Sequence, residues 1–218
     1  MTRKTLIPDT AQLGFDSLLI DAEAVNRAYR FEKAHSHLPG TMADAVPFYR
    51  DLIDRHHAGM LAADLDTIIA LRKEAANLAL KLNGGEPGIL AGPDAPGCML
   101  EHQTAAPVGT VPFWGQIGDF IIEVESMRIR VEMDGMFGIC ARHISWMNFS
   151  AHAVDWDKPF LSETGYRSFM GLNTPLVLGM TPDQFAAEVI ANQVRQELKG
   201  RLIQIESQFQ PAPKETAL

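Results

Sequence analysis

The chain has 218 residues, 46% of them hydrophobic and 21% charged, with a net charge of −8. That is enough to bury one large core without disulfides or metal, and too apolar for a disordered chain. The acidic balance and scattered lysines and arginines argue against a dedicated nucleic-acid binder, whose affinity comes from a basic face.

Phe15 to about Ala34 carries Leu18, Ala22, Val25 and Tyr29 at spacings of three and four, which predicts a helix with one apolar stripe. Pro39-Gly40 ends it. His35 and His37, just before this stop, are expected to cap carbonyls at the helix end. A second helix is predicted from Pro47 to Ala62, and a third from Asp64 or Asp66, either of which can cap it. Ile68, Leu71, Ala75, Leu78 and Leu82 line the third, and Asn83-Gly84-Gly85 closes it. Residues 1–85 therefore read as a helical layer whose members pack as a hairpin or three-helix unit.

Residues 86–118 read as a Pro/Gly-rich connection, with Pro87, Pro93, Pro96, Pro107 and Pro112 among glycines. From Asp119 to Met133 the pattern switches to strict alternation, predicting two strands with one apolar face. Asp134-Gly135 predicts a hairpin into a third strand over Met136–Cys140, and His143–Phe149 predicts a further strand. Thr181-Pro182-Asp183-Gln184 is a helix start: threonine caps, proline fits the first turn, and glutamine completes a capping box. Phe185, Ile190, Val194, Leu198, Leu202, Ile205 and Phe209 then predict one long amphipathic helix, able to cover the sheet or pair with a second copy as a homodimer. The fold class is α+β: an N-terminal helical layer, an antiparallel β meander and a C-terminal helix across 119–210, with a disordered tail at 211–218.

Motifs for chemistry are sparse. His56-His57 lacks HExxH or His-x3-His spacing, and adjacent helical residues point apart, so a structural role is expected rather than a metal site. Cys98, Glu101 and His102 lie close in sequence, but a nucleophilic thiolate also needs an oriented base and a depressed pKa. Cys98 and Cys140 could pair only if the fold joins them, and two cysteines suit a reduced, cytoplasmic protein. Glycine fingerprints for phosphates or dinucleotides are missing, so no cofactor is expected, and no continuous apolar run predicts membrane insertion.

The segment Val154–Leu172 is different, mixing Trp156, Phe160, Tyr166 and Phe169 with charged and hydroxyl residues. It predicts a loop whose Trp156, Asp157, Ser162, Thr164, Tyr166, Arg167 and Ser168 bind a partner, because Trp, Tyr and Arg dominate interaction hot spots. The competing reading is a hydrolase-type enzyme using His152 or His143 with Asp157 and Arg167. A weaker one is a DNA-binding regulator drawing on Arg128, Arg130 and Arg142, which Glu123, Glu125 and Glu132 would neutralise.

The run PFLSETGYRSF, from Pro159 to Phe169, resembles a signature of small accessory proteins encoded on bacterial plasmids and integrative elements. The resemblance implies a role in adjusting conjugation, restriction or partition, often by inhibitory protein contacts, and a transfer inhibitor would suit an acidic cytosolic chain. The expected function is accordingly an accessory regulator or inhibitor acting through a protein partner.

Overall fold

A computed structural model describes residues 10–137, 140–141, 144–173 and 178–210. Among these residues five α-helices and five strands follow the order α1 (Thr10–Ala34), α2 (Met42–Ala62), α3 (Leu65–Leu82), α4 (Pro96–Gln103), β1 (Gly118–Val124), β2 (Met127–Met133), β3 (Cys140–Ala141), β4 (Ile144–Ala153), β5 (Tyr166–Asn173) and α5 (Pro182–Gln196). The fold is α+β.

Local chemistry sets most boundaries. Thr41 caps α2, its Oγ1 accepting from Asp44 N–H at 3.3 Å, so this helix starts before Pro47, where the sequence had placed its first turn. Asp64 Oδ1 accepts from Thr67 N–H at 3.1 Å at the start of α3, and Gly85 N–H closes its end on the Leu80 carbonyl at 2.8 Å. The Pro/Gly-rich connection is not wholly extended. It contains α4, which opens with Pro96, where a missing N–H costs nothing.

α2 and α3 bury Tyr49, Leu52, Ile53, Leu71, Ala75 and Leu78 against each other and against Leu100 of α4. α1 does not join them as a third member. Of its predicted stripe, Leu18 is 68% and Tyr29 66% exposed. The helix is tied down at its C-terminal end, where Lys81 pairs with Glu32 at 3.2 Å and donates to the His35 and Leu38 carbonyls. His35 Nδ1 lies 2.8 Å from the Phe31 carbonyl, fitting the expected capping role.

The sheet is an antiparallel meander β1-β2-β4-β5, with the two-residue β3 pairing the start of β4. The strand expected over Met136–Cys140 is therefore not the third member. Met136 and Phe137 instead turn into the helical core, where Met136 is buried and Phe137, partly buried, stacks on Tyr49. One sheet face carries Phe120, Ile129, Val131, Phe149, Ala151 and Phe169 and is covered by Phe185, Ala186, Ile190 and Val194 of α5. Gln184 Oε1 accepts from Thr181 N–H at 3.1 Å, completing the predicted capping box.

α5 is shorter than its apolar spacing suggested. It ends at Gln196, and the chain reverses through Lys199 and Gly200, both at positive φ (51° and 75°). The apolar residues beyond it are spent differently. Ile205 enters the sheet core, while Ile203 exchanges backbone hydrogen bonds with Phe160 at 2.7 and 2.8 Å. The tail 211–218 lies outside the described residues.

Candidate functional site

The segment expected to be a binding loop is half turn and half strand. Residues 154–165 form the turn, and Tyr166, Arg167 and Ser168 open strand β5, paired to β4 through Tyr166↔His152, Arg167↔Ala151 and Ser168↔Ser150. The period-two arrangement of Arg167 and Phe169 against Tyr166, Ser168 and Met170 carries this strand, but aromatic and polar residues on both faces hid the alternation.

This pairing separates the seven candidates. Trp156 packs on the core, its ring lying where a Cβ on Gly165 would sit, 2.5 Å away. Gly165 also has φ of +70°, so Gly165→Ala meets both strain and a clash. The substitution is expected to cost about 2 kcal/mol in urea unfolding, and a loss under 0.5 kcal/mol would show that Trp156 moves freely. Ser162 and Thr164 turn inward on their own backbone: Ser162 Oγ donates to the Tyr166 carbonyl at 2.7 Å, and both hydroxyls accept from Tyr166 N–H. Asp157 is exposed.

Tyr166, Ser168 and Met170 share the uncovered sheet face. Tyr166 is 44% and Met170 70% exposed. Tyr166 leans on His152 (ring centroids 5.0 Å apart) and its hydroxyl lies 3.2 Å from Ser150 Oγ. The same face presents Ile121 on β1 and Arg128 and Arg130 on β2. Arg128 pairs with Asp155 at 3.2 Å and Arg130 with Glu132 at 2.9 Å, so the basic patch is neutralised locally, with Asp155 as an acid that the sequence reading overlooked. Lys158 and Arg128 hold the Asp155 carboxyl below its usual range, the Lys158 hydrogen bond contributing most. Arg142 and His143 lie outside the described residues.

Arg167 points the other way, with Phe169, toward α5. Its Nη2 lies 3.4 Å from Glu197 Oε2, while its Nε is buried without a hydrogen bond. Between β5 and α5 runs a groove of about 310 Å³, walled by Arg167–Met170 on one side and by Asn192, Gln193 and Gln196 on the other. His152 and Arg167 therefore occupy opposite faces, and the trio proposed for hydrolysis does not converge. His152 Nε2 comes within 3.2 Å of Glu132 Oε2, but without hydrogen-bond alignment.

A second polar group, unforeseen in the sequence, lies where the helices meet the sheet. His56 is buried, its Nδ1 2.9 Å from the Trp114 carbonyl and its Nε2 accepting from Arg72 Nε–H at 3.0 Å. Those partners fix the neutral ring with its proton on Nδ1. Burial, reinforced by the Arg72 charge, lowers its pKa to about 3. His57 Nδ1 accepts from Trp114 N–H at 3.1 Å, so the His-His pair clamps one tryptophan rather than an ion. Glu101 sits nearby against Gly135, accepting from Phe137 N–H at 3.4 Å, and burial raises its pKa. Cys98 is a free thiol, and the side chain of Cys140 lies outside the described residues. Among the described residues no cluster of three or more His, Cys, Asp or Glu is arranged for a metal, and no helix is long and apolar enough to cross a membrane.

Fold and surface together describe an α+β protein with one open sheet face and a strand-and-helix groove. Residues 117–202, which contain that sheet, the groove and α5, match the family described as the KlcB third domain. Two Escherichia coli proteins named KlcB are similar to the chain. One is 38% identical over 155 residues, 70% of this chain and 32% of that protein; the other is 35% identical over 125 residues, 57% of this chain and 29% of that protein. The chain thus spans about a third of the length of the curated relatives it matches. The similarity to KlcB bears out the resemblance of Pro159–Phe169 to plasmid accessory proteins. No solved structure matches the chain significantly.

Proposed function

We propose that this protein is a plasmid accessory regulator or inhibitor that acts by docking on another protein through β5, and that its target belongs to conjugative transfer. The carrying observation is the accessible strand Tyr166–Met170, which offers an aromatic and a methionine on an uncovered sheet face and an arginine beside a groove. Tyr and Arg supply large contact area and directional hydrogen bonds at modest entropy cost, which is why they anchor interfaces. The matched region is the one that holds this surface. The transfer target rests on the Pro159–Phe169 resemblance and the similarity to KlcB.

The test is transfer frequency of a conjugative plasmid from donors expressing the protein. Wild type is expected to lower transfer, and Tyr166→Ala combined with Arg167→Ala to restore it by about tenfold or more, as loss of hot-spot contacts worth ~2 kcal/mol would do. Far-UV dichroism and protein level should stay unchanged. Equal inhibition by the double variant would remove β5 from the mechanism, and absence of any inhibition by wild type would remove the transfer target.

A further inference from the structure

The two outer strands of the sheet differ in what lies beside them. A loop covers the start of β1, where Gly109 N–H donates to the Asp119 carbonyl at 3.1 Å and Ala106 N–H to the Ile117 carbonyl at 2.9 Å. On β5 the outer edge carries no strand or loop of this kind among the described residues.

The phase of the ladder shows which groups are left. Ala153 N–H donates to the Gly165 carbonyl at 2.8 Å, and Val154 N–H, one residue on, donates to Arg128 on the opposite neighbour. Because antiparallel partners alternate, the backbone groups of Arg167 and Phe169 face β4 while those of Tyr166, Ser168 and Met170 face outward. Gly171 N–H keeps this phase by donating to Asn148 Oδ1 at 2.9 Å, where the bulge at Met147/Phe149 interrupts the ladder. At Tyr166 the outward groups are taken by the Ser162 and Thr164 hydroxyls. At Ser168 and Met170 no group from the described residues takes them. Edges are ordinarily blunted by proline, by charge or by cover, and among the described residues this one is blunted at its Tyr166 end alone.

The groove beside this edge is polar. Asn192, Gln193 and Gln196 stand on one side of α5, where amides can meet polar side chains of a strand laid on β5. At the groove end the Arg167 Nε–H is buried and unspent, and Glu197, its long-range partner, is already held by Gln193 at 2.6 Å. The groove thus ends in the Arg167–Glu197 pair, which Arg167 enters through Nη2 while its Nε–H stays unspent, and carries the neutral amides of Asn192 and Gln196 along its length.

We propose that the free edge of β5 at Ser168 and Met170 accepts an extended segment of a partner protein as an added strand, with an acidic residue of that segment meeting Arg167. This rests on the reading of the protein as an interaction module and specifies how it binds. Main-chain bonds at two-residue spacing supply affinity, and Arg167 sets direction.

The probe is a linear decapeptide selected on the full chain from a random display library and then synthesised. An acidic residue at one end of the selected sequences is expected, with slowed amide exchange at Ser168 and Met170 on binding. N-methylation of the peptide at alternate amides should weaken binding about tenfold or more, and methylation of the intervening amides should not. Arg167→Ala should abolish the acidic preference. Ser168→Pro, which removes an outward N–H but no ladder bond, should weaken binding where Ser168→Ala does not. Peptides that bind without a period-two response overturn strand addition while leaving the interaction reading intact. Failure to select any peptide overturns it too. Protection of Ser168 that grows with protein concentration alone also overturns it, showing a second copy on the edge. The transfer assay with the Tyr166 and Arg167 variants is the separate test of the interaction reading.

Discussion

Between pH 7.5 and pH 5 the protein is expected to lose about 2 kcal/mol of stability through His56 alone, and on the order of 4–5 kcal/mol as the pH approaches 3. Unfolded, this imidazole takes up its proton near 6.5; folded, burial and the Arg72 charge delay protonation to about 3. Across that window the unfolded chain binds the extra proton. The His56 contribution is therefore complete above 6.5 and disappears as pH falls through the window. His57, also lowered by burial, adds in the same direction. Glu101 and Asp134, which burial raises, act oppositely, because the folded state holds their protons more readily than the unfolded state does. The acid slope should accordingly flatten toward the carboxylate range. Urea midpoints at pH 7.5, 6.5, 5.5 and 5 measure this, and His56→Gln should remove most of the dependence above pH 5. A midpoint that does not move between 7.5 and 5 would show that His56 is hydrated.

Trp114→Ala should cost about 3–5 kcal/mol, the range for deleting a fully buried aromatic, and leave the part-buried Met180 carbonyl to find a new partner. The indole packs against Phe185 of α5 with ring centroids 5.5 Å apart, and its Nε1–H donates to the Met180 carbonyl at 2.6 Å. Its own backbone is gripped by His56 and His57 of α2. One side chain therefore joins the helical unit to the matched sheet region. Trp114→Phe keeps most of the apolar volume and loses the Met180 bond, so a smaller loss of about 1–3 kcal/mol is expected. Chemical unfolding followed by far-UV dichroism distinguishes the two. Less than 1 kcal/mol for Trp114→Ala would mean that the helices and sheet are held together elsewhere.

Interactions spanning a few residues were legible in the chain itself. Thr181 and Gln184 announce their capping box, Asp64 its cap, and Phe120 to Met133 their alternation, because each depends on neighbours within one turn or one strand. Helical spacing misled where the chain had another use for the same residues. Leu202 and Ile205 continue the α5 pattern, yet Gly200 turns the backbone, so that Ile205 fills the sheet core and the intervening Ile203 pairs with Phe160. The α1 stripe misled in the opposite sense. Periodicity records that a helix has an apolar side, and says nothing of whether any surface in the chain meets it.

The candidate site divides along the same line. Composition singled out Tyr166, Arg167 and Ser168, but only strand pairing placed Tyr166 and Arg167 on opposite faces and left Ser168 on an edge. The buried set of His56, Arg72 and Trp114 was invisible for a related reason: His56 lies 16 residues from Arg72 and 58 from Trp114, and their hydrogen bonds exist only once α2, α3 and the approach to β1 are packed. The sequence by itself determined the α+β class, the starts of α3 and α5 and the sheet's apolar face, since these follow from local capping and side-chain period. The tertiary structure alone decided which described backbone groups of β5 face outward and that His56 is held neutral, because both depend on what distant segments leave uncovered or shut away from water.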